Sequence, residues 1–156
     1  MLTYRNLLPQ HGFTLVELVT VIIILGVLAA AAMPLWFNRT QFDERGFTDE
    51  LLQATRYVQK LAVASNCDAR ITISAGSFML EQPDTYCNTS ATWHAISLPE
   101  MAPPYATPSG VAITSATTTI TFHGSGTATL SNGSVISING TPRMQIFPAT
   151  GYVERL

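Results

Sequence analysis

The sequence predicts an α+β fold: a long N-terminal transmembrane helix packed on an antiparallel β-sheet domain. Three observations carry this. A nearly charge-free apolar block stands near the N-terminus, an amphipathic stretch with apolar residues three and four apart follows it, and from Ala69 onward short β-branched runs alternate with turn signals. A chain of 156 residues accommodates one ordinary domain plus one anchor, giving the expected boundaries 1–12, leader; 13–36, membrane helix; 37–66, amphipathic helix; and 67–156, β-rich globular domain.

The first helix is read from charge. Between Phe13 and Phe37 the only formal charge is Glu17, and Leu18 to Met33 has no ionisable side chain. At about 1.5 Å per residue such a helix crosses a hydrocarbon core of roughly 30 Å. Arg5 and His11 precede it, so the positive-inside bias keeps the leader cytoplasmic and puts the C-terminal domain across the membrane. In a Gram-negative cell that means a single pass through the inner membrane with the domain in the periplasm. A common secretory signal has its small-residue cleavage site after the apolar core, whereas Gly12 comes before it. Cleavage there removes a polar leader and keeps the apolar helix, with Phe13 as the new N-terminus.

Glu17 is the chemically costly residue. A carboxylate within a lipid-facing helix costs several kcal/mol unless it finds a partner, which makes it a candidate functional group. Its cation within this chain would be the Phe13 amine one helical turn away. Gly26 reads as a place for close helix packing and Pro34 as a kink.

In the second helix Phe47, Leu51, Ala54, Val58, Leu61 and Ala62 form the apolar face, and the helix should end near Ser65 and Asn66. Asp43, Glu44, Arg45, Asp49, Glu50, Arg56 and Lys60 read as a solvated polar face. Strands are expected at Arg70–Ser74, Phe78–Glu81, Trp93–Leu98, Val111–Thr114 and Thr118–Phe122. The Asn132-Gly133 and Asn139-Gly140 pairs read as type I′ hairpin turns. The Pro- and Ala-rich stretch from Pro99 to Gly110 reads as a surface loop and a candidate binding element. Cys67 and Cys87, an even pair in an exported domain, are expected to form one disulfide.

The run His11-Gly12-Phe13-Thr14-Leu15-Val16-Glu17-Leu18, the apolar block behind it and Pro34 resemble the N-terminal signature of type IV pilins and type II secretion pseudopilins. The resemblance implies that a prepilin peptidase cuts after Gly12 and methylates the Phe13 amine. It also implies that Glu17 pairs with the N-terminal amine of a neighbour during assembly. The implied partners are that peptidase, other pilin or pseudopilin subunits and an inner-membrane assembly platform. The segments from Phe47 to Leu52 and from Arg56 to Ala62, with Ile120-Thr121-Phe122, the closing Arg143 to Phe147 and Gly151, are similar to the GspH/FimT branch of minor pilins and pseudopilins. They fit minor pilins of mannose-sensitive haemagglutinin-type pili as well. The expected function is a structural subunit of a type IV pilus or a secretion pseudopilus, at or near the tip, and the alternative is a pilus-associated adhesin or DNA-uptake module.

Against that alternative, DNA-binding members of the family carry arginines after the late glycine, whereas Gly151 is followed by Tyr152, Val153 and Glu154, leaving Arg155. With Arg143 and His123 scattered and a net charge of −2, a row of phosphate contacts is not supported. An enzyme finds no more support. His11, His94 and His123 lie far apart, Gly124-Ser125-Gly126 lacks the nucleophile elbow, and no phosphate loop is present. Neither a metal site nor a cofactor is expected, because two thiols without nearby histidines do not complete a zinc site.

Overall fold

A computed structural model describes residues 13–32, 39–83, 87, 92–98 and 102–156. The chain divides into two compact units, Met1–Asn38 and Arg39–Leu156. The expected kink at Pro34 lies outside the described residues, as does the stretch that would carry the membrane span on to residue 36.

In the first unit, helix α1 covers Leu15–Ala32 and runs through Gly26 without a break. Its apolar residues occupy every side, and Leu15, Val16, Leu18, Ile22, Ile23, Ile24, Leu25, Val27 and Leu28 are all exposed. A helix apolar all round has no water-facing side and needs a non-aqueous surrounding or other helices. Among the described residues no helix is long and apolar enough to cross a membrane. The 18 residues of α1 rise about 27 Å, a little less than the hydrocarbon thickness.

In the second unit, helix α2 spans Arg39–Ser65. Its expected stripe is buried through Phe47, Leu51, Ala54, Val58 and Ala62, and Leu61 packs against that core from a half-buried position. Leu52, Thr48 and Thr55 are also buried, which broadens the stripe. The two threonines tolerate this because their hydroxyls donate back to the Glu44 and Leu51 carbonyls at 2.6 and 2.7 Å. Asn66 ends the helix in the left-handed region at φ 52°, with the Cys67 amide bonded to the Ala62 carbonyl and the Asn66 amide to the Val63 carbonyl. This is a Schellman cap, and Asn tolerates its φ better than most residues.

Among the described residues nine antiparallel strands follow: β1 Ala69–Ser74, β2 Ser77–Pro83, β3 Trp93–Ala95, β4 Tyr105–Ala106, β5 Thr118–Phe122, β6 Ala128–Leu130, β7 Val135–Ile138, β8 Thr141–Phe147 and β9 Tyr152–Arg155. The first sheet has the order β3-β2-β1-β5-β6, with β4 also pairing to β2, and the second the order β7-β8-β9. The centre of the first sheet is apolar in register, with Ile71 opposite Leu80 on one side and Ile120 on the other. One face of it, with Ile71, Ile73, Phe78, Leu80, Ile120 and Phe122, forms a continuous core with α2, and Ile136, Ile138, Met144, Ile146 and Val153 of the second sheet join that core.

Four expectations need correction. The turn Asn139-Gly140 joins β7 to β8 with φ 50° and 78°, as a type I′ hairpin requires. Asn132-Gly133 is not a hairpin, because among the described residues β6 pairs only with β5 and the chain leaves there for the second sheet. The Asn132 side-chain amide bonds instead to the Thr117 carbonyl. Val111–Thr114 alternates inward and outward as a strand would, but its amides go to Pro108, Asn139, Ala75 and Ser137 in turn, so among the described residues only Ile113 of this stretch forms a bridge, to Ile138. The expected strand Trp93–Leu98 stops at Ala95, where the Tyr105 hydroxyl takes over by donating to the Ile96 carbonyl at 3.0 Å and accepting from the Leu98 amide at 2.6 Å. Tyr105 also corrects the surface-loop reading of Pro99–Gly110, since it is 3 % exposed and stacks on Phe78 with ring centroids 4.9 Å apart. Pro99 itself lies outside the described residues.

The late glycine is explained by contact. Gly151 is buried at φ 60°, and a Cβ there would strike the Gly126 carbonyl oxygen and lie 3.3 Å from Gln59 Nε2. The β8–β9 turn thus rests against both the β5–β6 turn and α2. Gly151→Ala should lower stability by about 2 kcal/mol or more, combining left-handed strain with overpacking. Urea unfolding of the full chain in detergent measures this, and an unchanged midpoint would show that the turn yields freely.

Candidate processing and assembly site

The N-terminal end of α1 is built by a cap. Thr14 stands just before the helix; its hydroxyl accepts from the Glu17 amide at 3.3 Å and its carbonyl accepts from the Leu18 amide at 3.2 Å. Thr14 is therefore the N-cap and Glu17 the third helical residue, the Thr-x-x-Glu spacing of a capping box. That signal is legible in the sequence, but reading Glu17 only as an intramembrane acid passes over it. The carboxylate also sits in the first turn, where the helix dipole favours negative charge. Phe13 is 79 % exposed ahead of the cap, and Gly12 lies outside the described residues.

The cysteines meet. Cys67 and Cys87 form a disulfide with Cα atoms 4.8 Å apart, closing a separation of 20 residues and joining the end of α2 to the chain that follows β2. These cysteines belong to the second unit, and Phe13 and Glu17 to the first.

The polar face of α2 is less idle than expected. Glu44 accepts from Arg143 of β8 through Nε at 3.1 Å and a terminal nitrogen at 2.5 Å, and from Asn139 Nδ2 at 3.1 Å. Arg143 first, then Asn139, holds the Glu44 carboxyl below its usual value of 4.5. Asp49 pairs with Arg155 of β9 at 2.5 Å, and Arg56 donates to the Val153 carbonyl at 3.0 Å. Three of the polar residues therefore tie α2 to the second sheet. On the first sheet, Arg70 pairs with Glu81 at 2.8 Å and lies over the Trp93 ring at 4.1 Å.

The cations that seemed scattered are also engaged. Arg143 and Arg155 hold acids of α2, and His123 lies between Asp68, 3.0 Å from Nδ1, and Thr129, 2.9 Å from Nε2. Carboxylate, imidazole and hydroxyl in that order can activate a nucleophile, and sequence separations of 55 and 6 concealed the grouping. What the cluster does in the fold is fasten the start of β1 to the β5–β6 hairpin. Among the described residues no group of three His, Cys, Asp or Glu is placed to hold a metal ion.

Family models match two stretches of the chain. The prokaryotic N-terminal methylation motif covers residues 8–33, and the type II transport protein GspH covers residues 48–148, well over half of the chain. The chain belongs to the GspH family. It is thus a type IV pilin-like or pseudopilin subunit, and that group consists of structural rather than catalytic proteins. No curated protein and no solved structure matches it. The GspH match runs from Thr48 in α2 to the residue after β8, so it takes in Tyr105, the disulfide and the Asn139 turn, while β9 falls beyond it.

Two measurements probe these contacts. Arg143→Leu should lower stability at pH 7 by about 1 kcal/mol, because it strips a charge-assisted partner from Glu44. Since the folded state lowers the Glu44 pKa, its contribution is complete above the ordinary value of 4.5 and is lost as pH falls through the lowered one. The gap between variant and wild type should therefore narrow in urea titrations as pH is taken progressively below 4.5, and a gap independent of pH would refute the ion-pair account. Cys87→Ser should cost about 3 kcal/mol on the chain-entropy estimate for the closed loop, read as a lower midpoint in the same titration.

Proposed function

We propose that this GspH-family subunit is cut between Gly12 and Phe13 by prepilin peptidase, N-methylated on Phe13 and incorporated as a minor subunit at or near the tip of a type IV pilus or secretion pseudopilus. Residues 13–36 anchor it in the inner membrane, and the β-rich domain 67–156 faces the periplasm. The observation that carries the reading is the capped, all-round apolar α1 with its one carboxylate in the first turn, set within the methylation motif.

Cleavage at this point has a direct electrostatic result. A new ammonium at Phe13 stands beside the positive end of the helix dipole, which is unfavourable unless a carboxylate compensates it. Glu17, one turn in, offers that compensation to its own amine or, in a filament, to a neighbour's. Desolvation in lipid makes the pairing matter more than it would in water. The adhesin or DNA-uptake alternative gains no support from Arg143, Arg155 and His123, each of which is engaged with an acid.

The mature chain should begin with N-methyl-phenylalanine at Phe13 by mass spectrometry, and Gly12→Leu should leave the precursor uncut. A mature chain starting elsewhere would overturn the processing step. Glu17→Val should remain in the membrane fraction at normal abundance while its incorporation into filaments falls at least about tenfold, the equivalent of roughly 1.4 kcal/mol of lost pairing. Undiminished incorporation would reject the pairing role, and loss from the membrane would reject the anchor.

A further inference from the structure

A cavity of about 760 Å³ opens between α2 and the chain after β3, lined by Asp49, Glu50, Gln53, Ala54, Tyr57, Ser97 and Leu98. Ala54, Leu98 and Tyr57 give it apolar surface, and Asp49 and Glu50 bring two carboxylates to its lining. The carboxylates differ. Asp49 already holds the Arg155 guanidinium, which shows that this rim accepts a cation on an aliphatic stem. Glu50 is half-buried, and no hydrogen bond or ion pair reaches it among the described residues.

From this geometry we infer that the groove receives a lysine or arginine side chain of a neighbouring pilin-type subunit, its stem along Ala54, Leu98 and Tyr57 and its charge on Glu50. The inference rests on the subunit reading above and specifies one contact of the assembly. The stem suits the groove because long basic side chains bury their methylenes while the head finds a charge. Tyr57, 44 % exposed and part of the same lining, adds an aromatic ring of the kind that attracts cations. Glu50 supplies the reason for a partner. Burial pushes its carboxyl above the ordinary value, so in the isolated subunit the ionised form is held at a cost that an incoming cation offsets. Because its folded pKa is raised, Glu50 lowers stability at neutral pH, and this is relieved as pH falls through the raised value. A carboxylate that weakens its own fold at working pH is what a contact site, rather than a structural tie, would carry.

The test uses the full chain in cells that assemble filaments, with a photoreactive residue at Gln53 on the groove wall, mass spectrometric mapping of the captured segment and the mature N-terminus read from the same sample. Capture should fall on a segment of another subunit that presents a lysine or arginine, and should drop at least about tenfold in Glu50→Lys. Glu50→Gln should reduce capture less while leaving the thermal midpoint of the free subunit unchanged or higher, which separates contact from folding. Capture of a segment without a cation, capture within the same polypeptide, or capture indifferent to Glu50→Lys would each overturn the inference. A chain correctly processed at Phe13 but not captured overturns the inference alone. An unprocessed chain still captured through Glu50 on a cation-bearing segment overturns the processing reading and keeps the inference.

Discussion

The burial of one stripe of α2 is the constraint on which the second unit depends. Phe47, Leu51, Val58 and Ala62 have no alternative apolar surroundings, and they share one core with Ile71, Ile73, Ile120 and Phe122. Removing such side chains from water is the dominant favourable term in a domain of this size. It also fixes register, since a slip of one residue in β1 would turn Ile71 and Ile73 outward and bring Arg70 and Thr72 into the core.

The second sheet is held by a different mixture. Ile136, Ile138, Met144, Ile146 and Val153 supply its apolar face. Its orientation against α2 is specified by directional contacts: Arg143 on Glu44, Arg155 on Asp49, Arg56 on the Val153 carbonyl and the tight seat of Gly151. Apolar burial alone is non-directional, so it would leave the sheet free to slide. The bonds from α2 have donors and acceptors at fixed places and remove that freedom.

What could be read from the sequence follows from the range of each interaction. Both helices, the end at Asn66, β1, β2, β5 and the Asn139-Gly140 turn depend on neighbours in sequence, through periodicity, capping and turn chemistry, and all were legible. The stop of β3 at Ala95 was not, because it depends on the hydroxyl of Tyr105 arriving from a different segment. Asn132-Gly133 has the same local chemistry as Asn139-Gly140, and only the sheet assignment of the next strand separates them. Within the candidate site, the cysteine pair could be named in advance, and Glu17 stood out as the one charge of the apolar block. The engagement of Glu44, Asp49 and Arg56, and the grouping of Asp68, His123 and Thr129, join residues distant in sequence and leave no periodic trace.

The junction at Asn66 and Cys67 has a mechanical side. Force pulled through α2 reaches the sheet at β1, only a few residues beyond the helix cap. That strand is flanked by β2 and β5, so the load falls on two rows of hydrogen bonds sharing it side by side rather than parting one at a time. The disulfide at the same junction gives that load a second, covalent route from Cys67 to Cys87, so the chain enclosed between them, with β1 and β2, cannot be drawn out to its full length. A subunit of this design behaves as a rivet, with tension along α2 spread over the strands on both sides of β1.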